Sequence, residues 1–268
     1  MDAEAIKTSI EQLITNCISD YRLVQKARSV WKAPLIAYAS ARDPLFTKFR
    51  NVVSPSHHTP RQLLSGAETV IVYFLPFNER IVRSNAGPGP SSREWAVAYL
   101  ETNTLIHAIN EQLMQSLEQN GYAVTTMPAT HNFDTKQLVS PWSHKHIAYA
   151  AGLGKFGLHH MLITAQGAAG RLGSLVTNAY ITPSARVDKE ACLYKHDGSC
   201  RACLSLCPVG ALRETRFDRH ACYVVCRENA RRLNPEEKAE VCGKCVSVTP
   251  CALTDPVADQ QKPQAPDA

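Results

Sequence analysis

The chain has 268 residues, 44% hydrophobic and 20% charged, enough to bury a core without disulfide staples and unlike a disordered or fibrous protein. A formal net charge of +5 with no run of Lys or Arg demands no anionic partner, so nucleic acid is not expected. No apolar run reaches about 18 residues, and Asp2, Glu4 and Lys7 interrupt the first ten, so neither a membrane span nor a secretory leader is expected and the cytoplasm is the expected compartment.

Over residues 3–31, Ile6, Ile10, Leu13, Ile14, Cys17, Ile18 and Tyr21 recur at three and four residues, the spacing of an amphipathic helix on which Cys17 reads as a small buried hydrophobe. Residues 34–40, 69–74 and 122–127 are short runs rich in Val, Ile, Tyr and other apolar residues and read as strands, with Tyr73 and Phe74 in the core. His57-His58, between Pro55 and Pro60, reads as an exposed loop pair. Asn85, Gly87, Pro88, Gly89 and Pro90 mark a loop, and a helical pattern then covers residues 92–120 until Gly121 stops it. After Pro141 a helix runs to Ala151. Gly152, Gly154 and Gly157 follow, then two strand-like runs, 160–164 and 172–181, expected to pair with each other. Strands separated by helices give an α/β (α+β) domain over residues 1–185. From Asp188 the composition turns cysteine-rich, which sets a second domain at 186–256, and residues 257–268, with Pro263 and Pro266, are expected to be a disordered tail.

Nine of the ten cysteines lie within residues 192–251, a density that reads as a metal region in a reducing compartment. The strongest motif is Cys200-x2-Cys203-x3-Cys207-Pro208, followed by Val209, Gly210 and Ala211. In bacterial ferredoxins a C-x2-C-x2-C-x3-C-P run gives three thiolates to one iron-sulfur cube and the fourth to a second cube. Here Asp197 stands where the first cysteine of that run is expected, so either Asp197 or Cys192 completes the set. Cys222, Cys226 and Cys242-x2-Cys245-x5-Cys251 supply the remaining thiols. If the two halves exchange one ligand each, one 4Fe-4S cluster takes Cys200, Cys203, Cys251 and Cys192 or Asp197. The other takes Cys207, Cys222, Cys242 and Cys245, leaving Cys226 as a spare or alternative. Zinc also uses paired C-x2-C units, but the C-x3-C-P-x-G-A turn belongs to ferredoxins.

Two stretches together resemble the epoxyqueuosine reductases, cobalamin-dependent iron-sulfur enzymes related to reductive dehalogenases. One is Ala151-Gly152-Leu153-Gly154-Lys155-Phe156-Gly157 with the strands after it, including Gly173-Ser174-Leu175-Val176-Thr177; the other is the cysteine region. The resemblance implies a nitroreductase-like cobalamin-binding domain followed by a ferredoxin-like two-cluster module. It implies one cluster near the corrin and the other fed by an outside donor of flavodoxin or ferredoxin type, with the reducible small molecule in the α/β domain. Gly152, Gly154, Lys155 and Gly157 would allow close approach to a flat cofactor, a tight helix-to-strand turn being the alternative. The family's acidic, arginine-containing segment before this motif is replaced here by Ser140-Pro141-Trp142-Ser143-His144-Lys145-His146, and the nearest acid is Asp134. Carboxy-terminal repeats that longer members use for tRNA are not read in this chain, so a short relative of different substrate is expected. His144, His146 and Asp134 are the candidate proton donors, since histidine exchanges protons near neutral pH. Arg93, Arg171 and Lys155 could each hold a phosphate or carboxylate or be solvated charges. A non-catalytic electron carrier is the rival reading.

Overall fold

The computed structural model describes residues 2–233 and 239–261. Helix α1 (Ala3–Val24) starts where the Asp2 carboxylate accepts from the Ala5 N–H, and Ile6, Ile10, Ile14, Cys17 and Ile18 face inward as their spacing requires. It stops short of Trp31, since Lys26 takes a left-handed φ of 48° and Trp31 instead bridges Phe77. Strand β1 (Leu35–Ser40), helices α2 (Leu45–Val52) and α3 (Pro60–Leu63), strand β2 (Thr69–Pro76) and helix α4 (Glu79–Ser84) lead to the long α5 (Arg93–Gln119), capped by Ser92. Then come β3 (Val124–Thr126), α6 (His144–Ala150), β4 (Gly154–Phe156), β5 (Leu162–Thr164) and β6 (Gly170–Thr177). The cysteine region holds α7 (Leu193–Asp197), α8 (Ala202–Ser205), α9 (Arg219–Leu233) and α10 (Pro256–Gln260).

The main sheet has the order β1-β2-β6-β3, and every pairing in it is antiparallel. Central β2 is buried along its whole length because both faces are covered. Alternate residues divide: Ile71, Tyr73 and Leu75 pack into the cluster containing α1 and α5, while Val70, Val72 and Phe74 pack with Phe46 and Phe49 of α2 and with α6.

Four expectations are corrected. Residues 160–164 do not pair with residues 172–181: β5 pairs with β4 inside the glycine segment, and β6 is taken by β2 and β3. His57 is not exposed but fully buried beside Trp142, its Nε2 accepting from the Ser143 N–H at 3.2 Å. The start of the expected tail is helical, because Asp255 caps α10 and Val257 is buried; residues 262–268 lie outside the described residues. Finally, the cysteine region is no separate core, since Cys192, Cys203, Val241, Val246 and Cys251 belong to the same apolar cluster as Ile71 and Leu105.

Candidate redox site

The nine clustered cysteines divide between two cavities. Cys192, Cys200, Cys203 and Cys251 line a small one with Thr249, Pro250 and His159. Cys207, Cys222, Cys226, Cys242 and Cys245 line another of about 240 Å³, with Trp95, Tyr99, Arg171 and Phe217 on its remaining walls. The chain crosses between them, Cys203 and Cys207 of one motif lying in different cavities while Cys251 returns to the first. Asp197 stays outside: its carboxylate is exposed and accepts from the Ser199 N–H at 2.9 Å. Among the described residues no group of three or more His, Cys, Asp or Glu side chains is disposed to hold a single metal ion.

Burial and mutual repulsion raise several of the thiols. Desolvation pushes Cys203 up to about 12, and Cys251, Cys192 and Cys200 add to the push. Cys251 is raised to about 11 by burial, with Cys192 and Cys200 again contributing. In the second cavity Cys245 is raised by burial, then by Cys242, Cys222, Cys203 and Cys207. Cys222 moves the other way, drawn down to about 7 because the Cys226 thiol donates to it and Lys145 stands near. One helical turn apart on α9, Cys222 and Cys226 share a face. Backbone and side-chain donors reach sulfur as well: the Ala211 N–H points at Cys207 Sγ at 3.2 Å, and His159 Nε2 and Thr249 Oγ1 each lie 3.3 Å from Cys251 Sγ.

The loop before α5 positions the Cys242 turn. Asn85, fully buried, donates to the Cys242 carbonyl and to Ser247 Oγ, each at 2.9 Å, and Ser91 Oγ donates to the same carbonyl at 2.7 Å. Gly243 has φ +70°, and a Cβ there would sit 2.3 Å from the Trp95 indole, so only glycine lets the turn lie flat on that ring.

A larger pocket of about 750 Å³ opens beside α6. Its walls include Phe49, Tyr149, Phe156 and Phe217, with Lys48, Lys145, Lys195 and Arg219 against Glu214, the single acid among the described lining residues. Phe217 also lines the second thiol cavity. Lys145 Nζ donates to the His160 carbonyl at 2.9 Å, and its pKa falls to about 8 through burial and Arg219, opposed by Cys222 and Cys245. Pocket and thiols thus lie within electrostatic reach of one ammonium.

Of the candidate proton donors, His146 alone lines this pocket. Its Nδ1 meets Ser143 Oγ at 2.8 Å and its ring lies between Phe49 and Phe156; burial, then Lys145 and His57, pull its pKa to about 3. His144 is buried with both ring nitrogens engaged, Nδ1 to Ser174 Oγ at 2.9 Å and Nε2 to the Pro128 carbonyl at 3.1 Å. Asp134 is exposed, accepting from the Lys136 and Gln137 N–H groups of its own turn.

The glycines serve packing within the chain. A Cβ would sit 2.4 Å from the Ala185 carbonyl oxygen at Gly152, 2.0 Å from that of Ile163 at Gly154, and 2.8 Å from the His159 ring at Gly157. Only Gly157 of the three lines the large pocket, and Lys155 lies over the Tyr149 ring. Arg171 spreads over Tyr99 at 4.3 Å with its buried Nε lacking a hydrogen-bond partner, while Arg93 lines a separate surface groove with Arg28. Sequence reasoning missed Asn85, Lys145 and His159. Each stood beside a signal: Asn85 in a marked loop, Lys145 between the candidates His144 and His146, and His159 two residues after Gly157.

No family model matches the chain. It is 24% identical over 207 residues to an epoxyqueuosine reductase of Bacillus anthracis, a match covering 71% of this chain and 50% of that protein. The chain therefore spans about half the length of the curated relatives it matches. Among solved structures, an epoxyqueuosine reductase crystallised with an epoxyqueuosine-modified tRNA-Tyr stem loop aligns at a TM-score of 0.54, with 18% identity, 91% of this chain and 66% of that one. A catabolic reductive dehalogenase in complex with 3-bromo-4-hydroxybenzoic acid aligns at 0.56, with 16% identity, 85% of this chain and 31% of that one. The chain is similar in sequence to epoxyqueuosine reductases and shares a fold with them and with a reductive dehalogenase.

Proposed function

We propose that this protein is an iron-sulfur oxidoreductase that passes electrons through two 4Fe-4S clusters into the pocket beside α6. The observation that carries the reading is the division of the thiols into two interlocked sets. Cys192, Cys200, Cys203 and Cys251 ligate an outer cluster, and Cys207, Cys222, Cys242 and Cys245 an inner one. The donor chemistry fits: buried thiols that raise one another's pKa are short of positive charge, which iron supplies while holding them as thiolates. Each cluster, once bound, supplies a site that takes and releases one electron with little change of shape.

The inner set adjoins the pocket through Phe217 and the outer set through Leu158, but only the inner set lies within electrostatic reach of the pocket's Lys145, so it is the exit side. The outer set takes electrons from a donor of flavodoxin or ferredoxin type. In the pocket, aromatic faces and four cations suit a flat or anionic molecule. Cobalamin is the first candidate, held by Phe49, Tyr149 and Phe156 on its ring and by Lys48, Lys195 or Arg219 on its phosphate; bound there, it would supply a cobalt centre able to accept single electrons. His146 stands where it can orient a bound molecule, and Lys145 can hold a proton at Nζ near neutral pH. Reduction of a nucleobase-like or halogenated aromatic substrate, as the similar proteins' names suggest, belongs to this proposal.

Anaerobic purification tests it: a brown protein with about eight iron atoms per chain is expected from two cubes, and a colourless zinc protein overturns it. Added cobalamin should persist with the protein through gel filtration. A chain that keeps its iron but not the corrin is the electron carrier instead, a reading favoured by the exposed Asp134, which leaves Glu214 the only acid among the described residues lining the pocket.

A further inference from the structure

We propose that His159 is a positioning residue for the outer cluster, its Nε2–H donating to the Cys251 thiolate and so favouring the reduced state. This deepens the two-cluster reading and rests on it. His159 is 4% exposed, and its Nδ1 accepts from the Met161 backbone N–H at 3.0 Å. A backbone N–H only donates, so Nδ1 carries no proton and the neutral ring's hydrogen resides on Nε2, aimed at Cys251 Sγ 3.3 Å away.

The surrounding turn is built for this arrangement. Gly157 donates to the Met161 carbonyl at 2.9 Å, closing a loop that carries the ring, and a Cβ at Gly157 would lie 2.8 Å from Cε1 and 3.0 Å from Nε2. The glycine thus leaves the volume the imidazole occupies. His159 also lines both thiol cavities, and so stands between the two proposed clusters. Thr249 Oγ1, 3.3 Å from the same sulfur, can act as a second donor.

The chemistry is a single electron added to the cluster by the outside donor, with no bond made or broken. The added charge spreads onto the sulfurs, where a buried hydrogen bond strengthens, and hydrogen bonds to sulfur are among the determinants of cluster potential. A space-filling histidine would leave the potential unmoved when replaced by an apolar residue of similar size.

The test uses the holoprotein, wild type and His159→Leu, in potentiometric titrations followed by electron paramagnetic resonance. With iron content unchanged, the Leu variant should shift the oxidised-to-reduced ratio of one cluster about tenfold toward oxidised at fixed potential, about 59 mV for a one-electron couple. The other cluster should move less, and His159→Gln should recover part of the shift. Reduced wild type labelled with 15N-histidine should show a weak nitrogen coupling that the Leu variant lacks. Full iron with unmoved potentials overturns this inference alone. A Leu variant that loses its iron leaves the decision to the wild-type coupling, whose absence overturns the inference. Wild type without clusters overturns the underlying reading and this one with it.

Discussion

The Asn85 side-chain amide donates to the Cys242 carbonyl at 2.9 Å across 157 residues of sequence, tying the loop before α5 to the turn that carries two thiols. The same amide reaches Ser247 Oγ, and its oxygen accepts from the Ser92 N–H at 3.0 Å. Asn85→Ala leaves the Ser92 N–H without this acceptor and the Cys242 carbonyl with only its Ser91 donor, and should cost about 1–3 kcal/mol. Anaerobic denaturant titration reads this loss, and iron should be released from the inner set first.

Cys192 and Asp197 stand at the two ends of one short helix, yet only Cys192 reaches the outer cavity. Cys192→Ser should remove about half of the roughly eight irons expected for two cubes, while Asp197→Asn should remove none. Iron analysis of the two variants side by side decides between them.

Cys226 and Cys222 share a face of α9, but Cys222 is the member held as thiolate at lower pH, with Cys226 as its donor. Cys222→Ala should therefore abolish the inner cluster's spectroscopic signal. Cys226→Ala should keep the signal, with a shifted potential from the lost S–H donor.

Acid should destabilise the fold through buried histidines. His57 and His144 are pulled to about 4, in each case chiefly by burial, from an ordinary value of 6.5. Above pH 6.5 both states leave them neutral and stability is full. As pH falls toward about 4 the unfolded chain binds protons that the folded chain refuses, and each histidine then costs up to about 1.4 kcal/mol per pH unit. Urea midpoints from pH 7.5 to 5 should fall, and His144→Gln should flatten the slope.

Much of the site was legible before any tertiary contact was known. Thiol spacing in Cys200-x2-Cys203-x3-Cys207-Pro208 is a local property, since a short turn limits which sulfurs can share a cavity, while the grouping of Cys200, Cys203 and Cys251 against Cys207, Cys222, Cys242 and Cys245 came from the ferredoxin pattern of two halves exchanging one ligand each and matches the two cavities the cysteines line. Helices α1 and α5 and strand β2 were likewise legible, because an apolar stripe or a fully apolar run repeats at the period of its own element.

What remained depended on which distant surface meets which. Periodicity locates β5 and β6 but carries no record of partners, so β6 joining β2 and β3 was decided by packing on both sheet faces. The same holds for side chains of one type. His57 and His144 are sealed beneath Trp142 and Ser174, His146 faces a pocket, and His159 meets a sulfur 92 residues away. Residue identity gives each imidazole the same chemistry; burial and the partner at each ring nitrogen, which only the folded chain supplies, give each a different use.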